Sequence, residues 1–570
     1  RRRTIVLKAA LQALEVGGAR QGRQESSVRA RAAARARRTK LLHYVLAAKA
    51  KVPKKKIVDE NRAKGHLNVT AADLDAGTHK EADAKEFARF EECEVFAKDS
   101  AAPPRRLLPM RWVRTWKLKD GERVAKARLV AKGFRDPRNM LLHETYSGTA
   151  DADLMRLAMV FAATRRWNAA KSDVRTAFLQ APYEGEPLWV QLPDDLPDNA
   201  LKAGYKSGQA VRIQRAVYGT KDAPRVYTRY FKAKAAEEGW KEVSESILVK
   251  RNTQGDVTGL MVMHVDDLLV FAPDPTDLLV KLAAKVKMDA PEIVSNGHLH
   301  TYIGLSLRVA NGAILLDQSA YVEAMETDLE EKEKKVLREV DLRAPRDEEV
   351  DLSLVDQMQQ HVGILGWATK TQPHLAFIFG ELSRWTTRPS PTTVKAAKKA
   401  IEFAKDTSRP LTLARIQGQP VLRVWSDASY SRERCEGRTG FEVELVGRDD
   451  KDYSAFDNRN VIGWKSKKVS RKLGSTTSAE MLAMREAAKK VYAYTNLVKK
   501  LWGVEAAVEF KIDSQPLLQQ ITSRKATSEP RYQGELEYLV DMVEDLQATV
   551  NWVPTADMRA DRQTKFKRDD

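Results

Sequence analysis

Alternating apolar and polar residues mark several predicted strands along the chain. Residues 110–118 alternate in this way, Asp120-Gly121 supplies a tight turn, and residues 123–134 return as the partner strand of a hairpin. Residues 259–272 are apolar around an acidic centre, and they predict a second pair of strands. A third hairpin is expected over residues 301–316.

Other stretches have the longer spacing that is typical of helices. Residues 153–166 are predicted to form an amphipathic helix. Residues 223–238 predict another helix that starts at Pro224, since proline is tolerated in the first helical turn. The pattern stays helical from about residue 318 to residue 410, and residues 394–404 are its clearest part.

The last part of the chain predicts a separate α/β region. Strands are expected from residue 422 to about residue 464, followed by a long helix over residues 477–501 and a further strand over residues 506–512. This order is typical of an α/β sandwich.

The composition narrows the class of protein. A chain of 570 residues, 43% hydrophobic and 31% charged, is expected to fold into roughly three to four domains. Cys93 and Cys435 are too few and too far apart for a disulfide scaffold or a cysteine-rich zinc module. We find no run of about 18 apolar residues, so a membrane span is not expected. The sequence begins without Met, so we expect either a fragment or a segment of a longer polyprotein.

The net charge of +19 is concentrated at the N-terminus. Residues 1–56 contain 17 Lys/Arg and two acidic residues, whereas the remainder contains 80 Lys/Arg and 76 Asp/Glu. The high pI is therefore mostly a property of this basic arm. The arm is expected either to contact nucleic-acid phosphates or to form a solvated linker.

Asp266 and Asp267 stand next to each other within the apolar residues 260–271. Two adjacent carboxylates repel each other and lose hydration when they are buried, so we expect a cation to hold them. Oxygen ligands without Cys or His suit Mg²⁺ or Mn²⁺. Asp173, on a separate predicted strand, would complete a two-metal site for phosphoryl chemistry. This pattern favours a nucleotidyl transferase.

Several motifs occur in an order that is found in one known family. They are KARLVAKGF (126–134), DVRTAFL (173–179), VYGTKDAPR (217–225), VDD (265–267), GILGW (363–367), LSR (382–384), WSDA (425–428), SAE (478–480) and ADRQTK (560–565). Each motif alone is weak, but their shared order is strong. From about residue 85 to residue 566 the chain resembles the reverse transcriptase and ribonuclease H of copia-type LTR retrotransposons.

The resemblance implies a mixed α/β (α+β) fold. A right-hand polymerase with fingers, palm and thumb would be followed by a helical connection and a ribonuclease H-like α/β domain. The expected regions are a basic arm or linker that is partly disordered (1–80), fingers and palm (81–315), a helical thumb and connection (316–418) and the ribonuclease H-like domain (419–570).

The resemblance also implies two active sites, each with two Mg²⁺ or Mn²⁺ ions. The polymerase carboxylates would be Asp173, Asp266 and Asp267, of which Asp267 acts either as a ligand or through its charge. The ribonuclease H carboxylates would be Asp427, Glu480, Asp513 and Asp561.

Further residues are candidates for substrate binding. Phe178 would be either a steric gate against a ribose 2′-hydroxyl or a core residue. Lys126, Arg128 and Lys132 share one face of their predicted strand and are candidates for the incoming triphosphate. By analogy, Tyr218-Gly219 would lie beside the nascent base pair, and Tyr302-Ile303-Gly304 would hold the primer end.

Some residues depart from the family pattern. His264, Asp222, Tyr227, Ser514 and Trp552 stand where Tyr, Gln, Trp, Asn and His are usual, although none of them removes a predicted carboxylate. Three hypotheses therefore stay open. The chain is an active enzyme that copies element RNA, an inactive nucleic-acid-binding remnant, or a host nucleic-acid-binding protein derived from such an element.

The partners follow from the first hypothesis. An RNA template, a DNA primer strand, RNA–DNA hybrid and dNTPs are expected, and integrase and capsid parts of the same polyprotein are further candidates. No membrane partner is expected. The expected location is intracellular, in cytoplasmic virus-like particles or in the nucleus.

Overall fold

The computed structural model describes residues 66–97, 103, 106–119, 122–136, 138, 145–295, 298–330, 337–450 and 458–567, with the backbone alone for residues 66–68 and 118–119. The predicted basic arm, residues 1–56, lies outside these ranges. No helix within the described ranges is long and apolar enough to cross a membrane.

The predicted hairpin of residues 110–134 forms the centre of the first sheet. Its strands pair antiparallel from Met110 opposite Ala131 to Lys119 opposite Glu122. The sheet has the order β1-β2-β5-β6 with β3 on β2, and its strands are β1 (His66–Asn68), β2 (Leu108–Lys119), β3 (Glu122–Ala131), β5 (Trp189–Gln191) and β6 (Ala210–Arg212). The neighbouring helices are α1 (Ala71–Asp75), α2 (Lys80–Glu92) and α5 (Asp198–Lys202). Phe87 and Phe90 of α2 pack against this sheet.

The second sheet contains the predicted acidic hairpin. Its order is β11-β4-β10-β9-β8-β7, and its strands are β4 (Asn168–Asp173), β7 (Trp240–Ser244), β8 (Ile247–Arg251), β9 (Val257–His264), β10 (Asp267–Ala272) and β11 (Glu292–Ile293). The helices of this region are α3 (Ala152–Thr164), α4 (Ala177–Gln180), α6 (Ala223–Glu237) and α7 (Pro275–Ala283). The strand pair predicted over residues 259–272 and the helix predicted from Pro224 are both confirmed.

Helix α3 differs from the sequence prediction in one respect. All residues from Leu154 to Ala163 are buried, so the prediction of an amphipathic helix is wrong. The reason is that α3 packs among three layers of the fold, including the second sheet and the C-terminal region. A helix that is covered on all sides is apolar all round.

A helical segment of the chain connects two neighbouring strands of the third sheet. Its order is β12-β13-β14-β15, with β12 (His300–Tyr302), β13 (Leu305–Ala310), β14 (Ala313–Asp317) and β15 (Leu411–Leu413). Between β14 and β15 the chain forms α8 (Ser319–Glu323), α9 (Val355–Ala368), α10 (Leu375–Leu382) and α11 (Pro391–Asp406). Ser390 caps α11 by accepting a hydrogen bond from the Thr393 N–H at 3.2 Å.

The fourth sheet confirms the α/β pattern predicted for the C-terminal region. Its order is β18-β17-β16-β19-β20, and its elements are β16 (Pro420–Ser431), β17 (Glu436–Gly447), β18 (Val461–Lys468), β19 (Ala507–Ile512), β20 (Thr549–Trp552), α12 (Thr476–Trp502), α13 (Gln515–Ser523) and α14 (Gln533–Asp545). The first three strands are antiparallel, whereas β16, β19 and β20 run parallel.

A buried ionic network joins α3 to the C-terminal region. Arg156 is 3% exposed, pairs with Asp153 and donates a hydrogen bond to the carbonyl of Ile462 at 2.7 Å. Its guanidinium lies 4.1 Å from the centre of the Trp464 ring. The Tyr494 hydroxyl of α12 donates to Asp153 at 2.7 Å. The second sheet and the C-terminal sheet therefore share one continuous core.

We expect Arg156→Leu to lower the free energy of unfolding by about 2 kcal/mol, because it removes the ion pair with Asp153 and leaves the Ile462 carbonyl without this donor, although Lys490 still pairs with Asp153 at 3.3 Å. Urea unfolding followed by circular dichroism measures this change. As a control, Lys281→Ala removes the exposed ion pair with Asp277 and is expected to leave the unfolding midpoint unchanged. Equal midpoints for both variants would contradict the role given to Arg156.

Candidate active sites

The acidic pair lies at the end of a hairpin whose turn is strained. Strands β9 and β10 are joined by Val265-Asp266, with His264 and Asp267 as the last paired residues. Val265 has a φ of +58°, in the left-handed region that a β-branched residue rarely adopts. Hairpin turns with two residues use such a conformation because it matches the twist of the strands. The turn therefore fixes the positions of the Asp266 and Asp267 carboxylates at this end of the sheet.

The register of the second sheet brings Asp173 to the same place. Asp173 is the last residue of β4 and lies directly opposite Asp267 on β10. The Val174 N–H donates to the carbonyl of Asp266 at 2.9 Å. Directly opposed residues of an antiparallel pair have their side chains on one face. The three carboxylates predicted for the first site are therefore neighbours.

Their proximity changes their acidity. The pKa of Asp173 rises to about 6, chiefly through partial removal from water and then through the charges of Asp266 and Asp267. Lys126 opposes this rise. The pKa of Asp267 is also raised, first by burial and then by Asp266. Solvent still reaches the Asp173 side chain, so the cluster is an open acidic site that attracts cations.

Aromatic rings form a wall beside these carboxylates. Phe178, in α4, contacts the Tyr218 ring at 5.4 Å and the Tyr227 ring at 5.7 Å between centroids, both edge to face. Tyr227 is fully buried, and its hydroxyl has no hydrogen-bond partner among the described residues. Burial, with the charges of Asp266 and Asp173, raises the pKa of Tyr227, so its hydroxyl stays protonated.

The cationic residues of the first hairpin approach the same wall. The Arg128 guanidinium lies 5.8 Å from the centre of the Tyr218 ring. Burial, together with the charge of Arg128, lowers the pKa of Lys126. Lys132 lies outside the strand, because β3 ends at Ala131 and Lys132 precedes a short 3₁₀ helix. Strand alternation therefore does not fix the side on which Lys132 lies, and its place on the same face as Lys126 and Arg128 stays a prediction.

Two glycines let this hairpin dock against the loop of Tyr218. A Cβ atom on Gly133 would lie 2.0 Å from the carbonyl oxygen of Gly219. A Cβ atom on Gly219, whose φ is +88°, would lie 2.2 Å from the carbonyl oxygen of Ala131. The Ala131 N–H donates to the Tyr218 carbonyl at 2.8 Å. Two sequence motifs are thus in direct backbone contact, which fixes the cations relative to the aromatic wall.

Sequence reasoning missed a buried ionic cluster close to this loop. Asp222, which stands where the family usually has Gln, pairs with Arg138 at 3.2 Å and accepts a hydrogen bond from Tyr183 at 3.1 Å. Arg138 also pairs with Asp136 at 2.6 Å. These residues belong to three separate segments, and no motif or spacing links them.

The segment predicted to hold a primer end is a tight turn. Ile303 and Gly304 both have positive φ and join β12 to β13. A Cβ atom on Gly304 would lie 3.0 Å from the Trp367 ring, which belongs to the GILGW motif. The Tyr302 side chain is 2% exposed, and its hydroxyl donates to the Val262 carbonyl at 3.0 Å. Its burial leaves only the turn at Ile303-Gly304 for contact with a ligand.

Three of the four C-terminal acids form a second cluster. Asp427 lies in β16, Glu480 in the first turns of α12, and Asp513 directly after β19. One ligand oxygen from each lies within 4.8 Å of the others, and this is the only such group of three among the described residues. The three elements converge because β19 is the parallel neighbour of β16 and α12 packs on both β16 and β17.

The second cluster is more buried than the first. Burial raises the pKa of Asp427 to about 6, and Lys565 and a hydrogen bond from Thr564 oppose this rise. The pKa of Glu480 lies well above its usual value, through burial and then through the charges of Asp427 and Asp513. Carboxylates held this close without a bound cation are costly at neutral pH.

The fourth acid, Asp561, is held by two lysines. Lys565 Nζ lies 2.7 Å from Asp561 Oδ1, and Lys567 Nζ lies 2.6 Å from Asp561 Oδ2. Lys565 Nζ is also 3.7 Å from Asp427 Oδ2. Asp561 therefore lies near the cluster but outside the group of three, and Lys565 lies between them. These two lysines were not singled out from the sequence, although Lys565 ends the ADRQTK motif.

Two residues that depart from the family pattern, Ser514 and Trp552, help to hold Asp513 in place. Ser514 caps α13 by accepting a hydrogen bond from the Leu517 N–H at 3.3 Å. The Trp552 indole donates to the Asp513 carbonyl at 3.0 Å, and Thr555 donates to the Asp513 carboxylate at 2.9 Å. The backbone and the side chain of Asp513 are therefore both held in place.

Part of the chain matches a known protein family. Residues 94–336 match the family described as reverse transcriptase (RNA-dependent DNA polymerase). The Retrovirus-related Pol polyproteins from transposon RE1 of Arabidopsis thaliana and transposon TNT 1-94 of Nicotiana tabacum are each 23% identical, over 405 and 489 residues. The matches cover 69% and 81% of this chain but 26% and 34% of the relatives, so the chain spans about a quarter to a third of their length.

Solved structures resemble a quarter of the chain. LC11-RNase H1, isolated from compost, is 16% identical with a TM-score of 0.20, and the match covers 25% of this chain and 91% of that protein. A second structure of LC11-RNase H1, in complex with an RNA/DNA hybrid, also has 16% identity and a TM-score of 0.20.

The family prediction rests on motif order, and the two relatives named above carry matching regions within their polyproteins. The resemblance to the reverse transcriptase region of LTR retrotransposon polyproteins, which the order of the motifs predicts, is therefore confirmed.

Proposed function

We propose that the chain copies RNA into DNA at Asp173, Asp266 and Asp267, and that it hydrolyses the RNA of an RNA–DNA hybrid at its C-terminal acids. The observation that carries this proposal is the register of the second sheet. It sets Asp173 opposite Asp267, with Asp266 in the adjoining turn, inside the segment that matches the reverse transcriptase family.

Divalent metal ions fit both clusters. The donors are carboxylate oxygens without Cys or His, which suits Mg²⁺ or Mn²⁺. Burial, followed by the charges of Asp266 and Asp267, raises the pKa of Asp173, and burial raises that of Asp427, so a bound cation would favour the ionised carboxylates at both places. Asp173 and Asp266 would hold the ions of the first site. Asp427, Glu480 and Asp513 would hold an ion of the second. Bound there, the ions would supply an activated oxygen nucleophile and neutralise the leaving group.

The residues around the first cluster would position the substrate. Arg128, which lies over the Tyr218 ring, and Lys126, whose charge acts on Asp173, would bind the triphosphate of an incoming dNTP. The Phe178 ring would stand where a ribose 2′-hydroxyl would clash. Tyr218 and Gly219 would lie along the nascent base pair.

The domain arrangement follows from the same proposal. The first sheet would form the fingers, the second sheet the palm, and the helices between β14 and β15 the thumb and connection. The C-terminal sheet with its helices would be the ribonuclease H-like domain, which would bind RNA–DNA hybrid. An RNA template and a DNA primer would be the other nucleic-acid partners.

An inactive remnant is the second candidate function. It is favoured by Asp222, Tyr227 and Trp552, which depart from the family pattern near the two sites. All seven predicted carboxylates are nevertheless present, and six of them lie in the two clusters described above. The retained geometry favours the active enzyme over the remnant.

We expect Asp266→Asn to reduce DNA synthesis on a primed RNA template to background while leaving hybrid cleavage intact. Asp427→Asn is expected to have the opposite effect, because the two clusters are built from different elements. Primer extension and cleavage of a labelled hybrid, both with Mg²⁺ or Mn²⁺, measure the two activities in the same preparation. A wild-type protein without either activity would support the remnant instead.

The repulsion among the carboxylates predicts a pH-dependent stability. The pKa of Asp173 is higher in the folded protein than in the unfolded chain, so the folded state loses stability as the pH rises through about 6. We therefore expect Asp173→Asn to raise the urea unfolding midpoint of the metal-free protein at pH 7.5, and this gain should shrink towards pH 4.5.

Added Mg²⁺ provides the matched comparison for this variant. It is expected to stabilise the wild-type protein more than Asp173→Asn, because only the wild type keeps the full ligand set. A midpoint for Asp173→Asn below that of the wild type at pH 7.5 would contradict the proposed repulsion.

We expect Phe178→Ala to relax discrimination against ribonucleotides by up to about 100-fold, the size of selectivity that exclusion of one hydroxyl by an apolar wall gives. The ratio of kcat/KM for dNTP and rNTP incorporation measures it. Tyr227→Phe keeps the ring against Phe178 and serves as the control with an unchanged ratio. If Phe178→Ala also leaves the ratio unchanged, Phe178 is a core residue.

A further inference from the structure

A cavity of about 450 Å³ lies between the helical segment and the C-terminal region. On the side of the helical segment it is bounded by α10 and by the chain around the 3₁₀ helices Glu339–Leu342 and Ser383–Trp385. On the other side it is bounded by the turn between β16 and β17. Leu342 and Phe377, both buried, line it with apolar atoms. Its volume is in the range of ligand-binding pockets, so the cavity can hold a ligand.

One acid in the lining of this cavity is already neutralised. Arg384 pairs with Glu381 Oε2 at 2.6 Å, and Arg438 pairs with Glu381 Oε1. Both guanidiniums also lie over aromatic rings, Arg384 at 4.8 Å from the centre of the Trp385 ring and Arg438 at 5.2 Å from that of Phe377. These contacts hold the two arginines in place beside the cavity.

Two further arginines of the lining have no ion pair. Arg343 and Arg434 are exposed, and neither has an ion-pair partner among the described residues. They come from opposite sides of the cavity, Arg343 from the helical segment and Arg434 from the turn between β16 and β17. Glu339 is the other acid of the lining, so the arginines are in excess. Such a site favours an anion, and a phosphate fits the paired donors of a guanidinium well.

The register of the C-terminal sheet places this cavity beside the second cluster. Asp427 of β16 lies opposite Gly440 of β17, and Ser429 lies opposite Arg438. Residues two apart in a strand share a face of the sheet, so Asp427 and Arg438 are diagonal neighbours on one face, roughly 7–8 Å apart. Arg438 contacts Glu381 in the lining of the cavity. A single side chain thus connects the cavity with the strand that carries Asp427.

We propose that this cavity binds a backbone phosphate of a nucleic-acid strand whose adjoining part lies at the second cluster. The proposal rests on the proposed function, since the same strand would be cleaved, or paired with the cleaved strand, at that cluster. Arg343 and Arg434 would bind the phosphate oxygens from two sides. The ion pairs of Glu381 would keep its charge from repelling the phosphate.

The kinetics of hybrid cleavage by the full chain with Mg²⁺ test the proposal. We expect Arg343→Gln with Arg434→Gln to raise the KM about tenfold, because two charge-assisted contacts at an exposed site are lost. The kcat should stay unchanged, because the carboxylates of the second cluster are untouched. The salt dependence of the KM should also fall by a slope of about one per lost phosphate contact.

Arg432→Gln is the matched control for these variants. Arg432 is exposed in the same turn as Arg434 but does not line the cavity, so its loss should change the KM far less. All three arginines are exposed, and equal urea unfolding midpoints would show that the variants fold as the wild type does.

Uncharged linkages locate the phosphate that is bound. Single methylphosphonate linkages are placed in turn along each strand of a hybrid with 5′-hydroxyl ends, so that backbone phosphates alone are present. We expect one position at which the neutral linkage raises the KM of the wild type but does not raise that of the double variant further.

Other results would overturn the inference. Equal KM values for the double variant and Arg432→Gln would do so, and so would a fall in kcat alone or the absence of such a position in the hybrid. If the wild type cleaves hybrid, these results leave the proposed function intact. If it does not cleave, the Kd for the hybrid without metal replaces the KM. A Kd about tenfold higher in the double variant then supports the inference while the proposed function fails, whereas equal Kd values overturn both.

Discussion

Repulsion between like charges is the constraint on which both sites depend. Carboxylates that come this close would separate if the backbone allowed it, so the strands, the turn and the helix that carry them must hold them together. Asp173 and Asp267 are locked by strand register, and Glu480 is buried at the start of a 27-residue helix. Burial, together with this repulsion, raises the pKa values of Asp173 and Asp427. Rigid strands and a shared core are therefore what allow the charges to be concentrated.

The sequence predicts those parts of the fold that follow from local patterns. The spacing of apolar residues predicts the hairpin of β9 and β10, the helix from Pro224 and the long helix α12. The position of helix α3 was predicted, but its burial on all sides was not, because this burial depends on contacts with residues far away in the chain. Strand alternation says nothing about the side chain of Lys132, since β3 stops one residue earlier.

The residues of the candidate sites also divide into those that the sequence predicts and those that only the structure reveals. Asp266 and Asp267 stand out in the sequence because they are acids within an apolar run, whereas the C-terminal acids were predicted after the family resemblance of the motifs. Arg138 and Lys565 could not be predicted, because ordinary surface cations have the same appearance in a sequence, and only the folded chain pairs them with buried acids. The residues that depart from the family pattern also have partners that only the folded chain reveals. Ser514 and Trp552 have local partners that keep Asp513 in place, and Asp222 has Arg138.

The helical segment between β14 and β15 has a consequence for the order of folding. Leu316 and Leu411 are paired neighbours in the third sheet, although the whole helical segment separates them in the chain. Closing so long a loop of flexible chain costs entropy, and the three residue pairs between β14 and β15 offset little of this cost. Helices that have already formed hold the ends of the segment close together and remove most of this cost. Strand β15 is thus expected to join its sheet only after α8 to α11 have packed, which makes the edge of the third sheet a late step in folding.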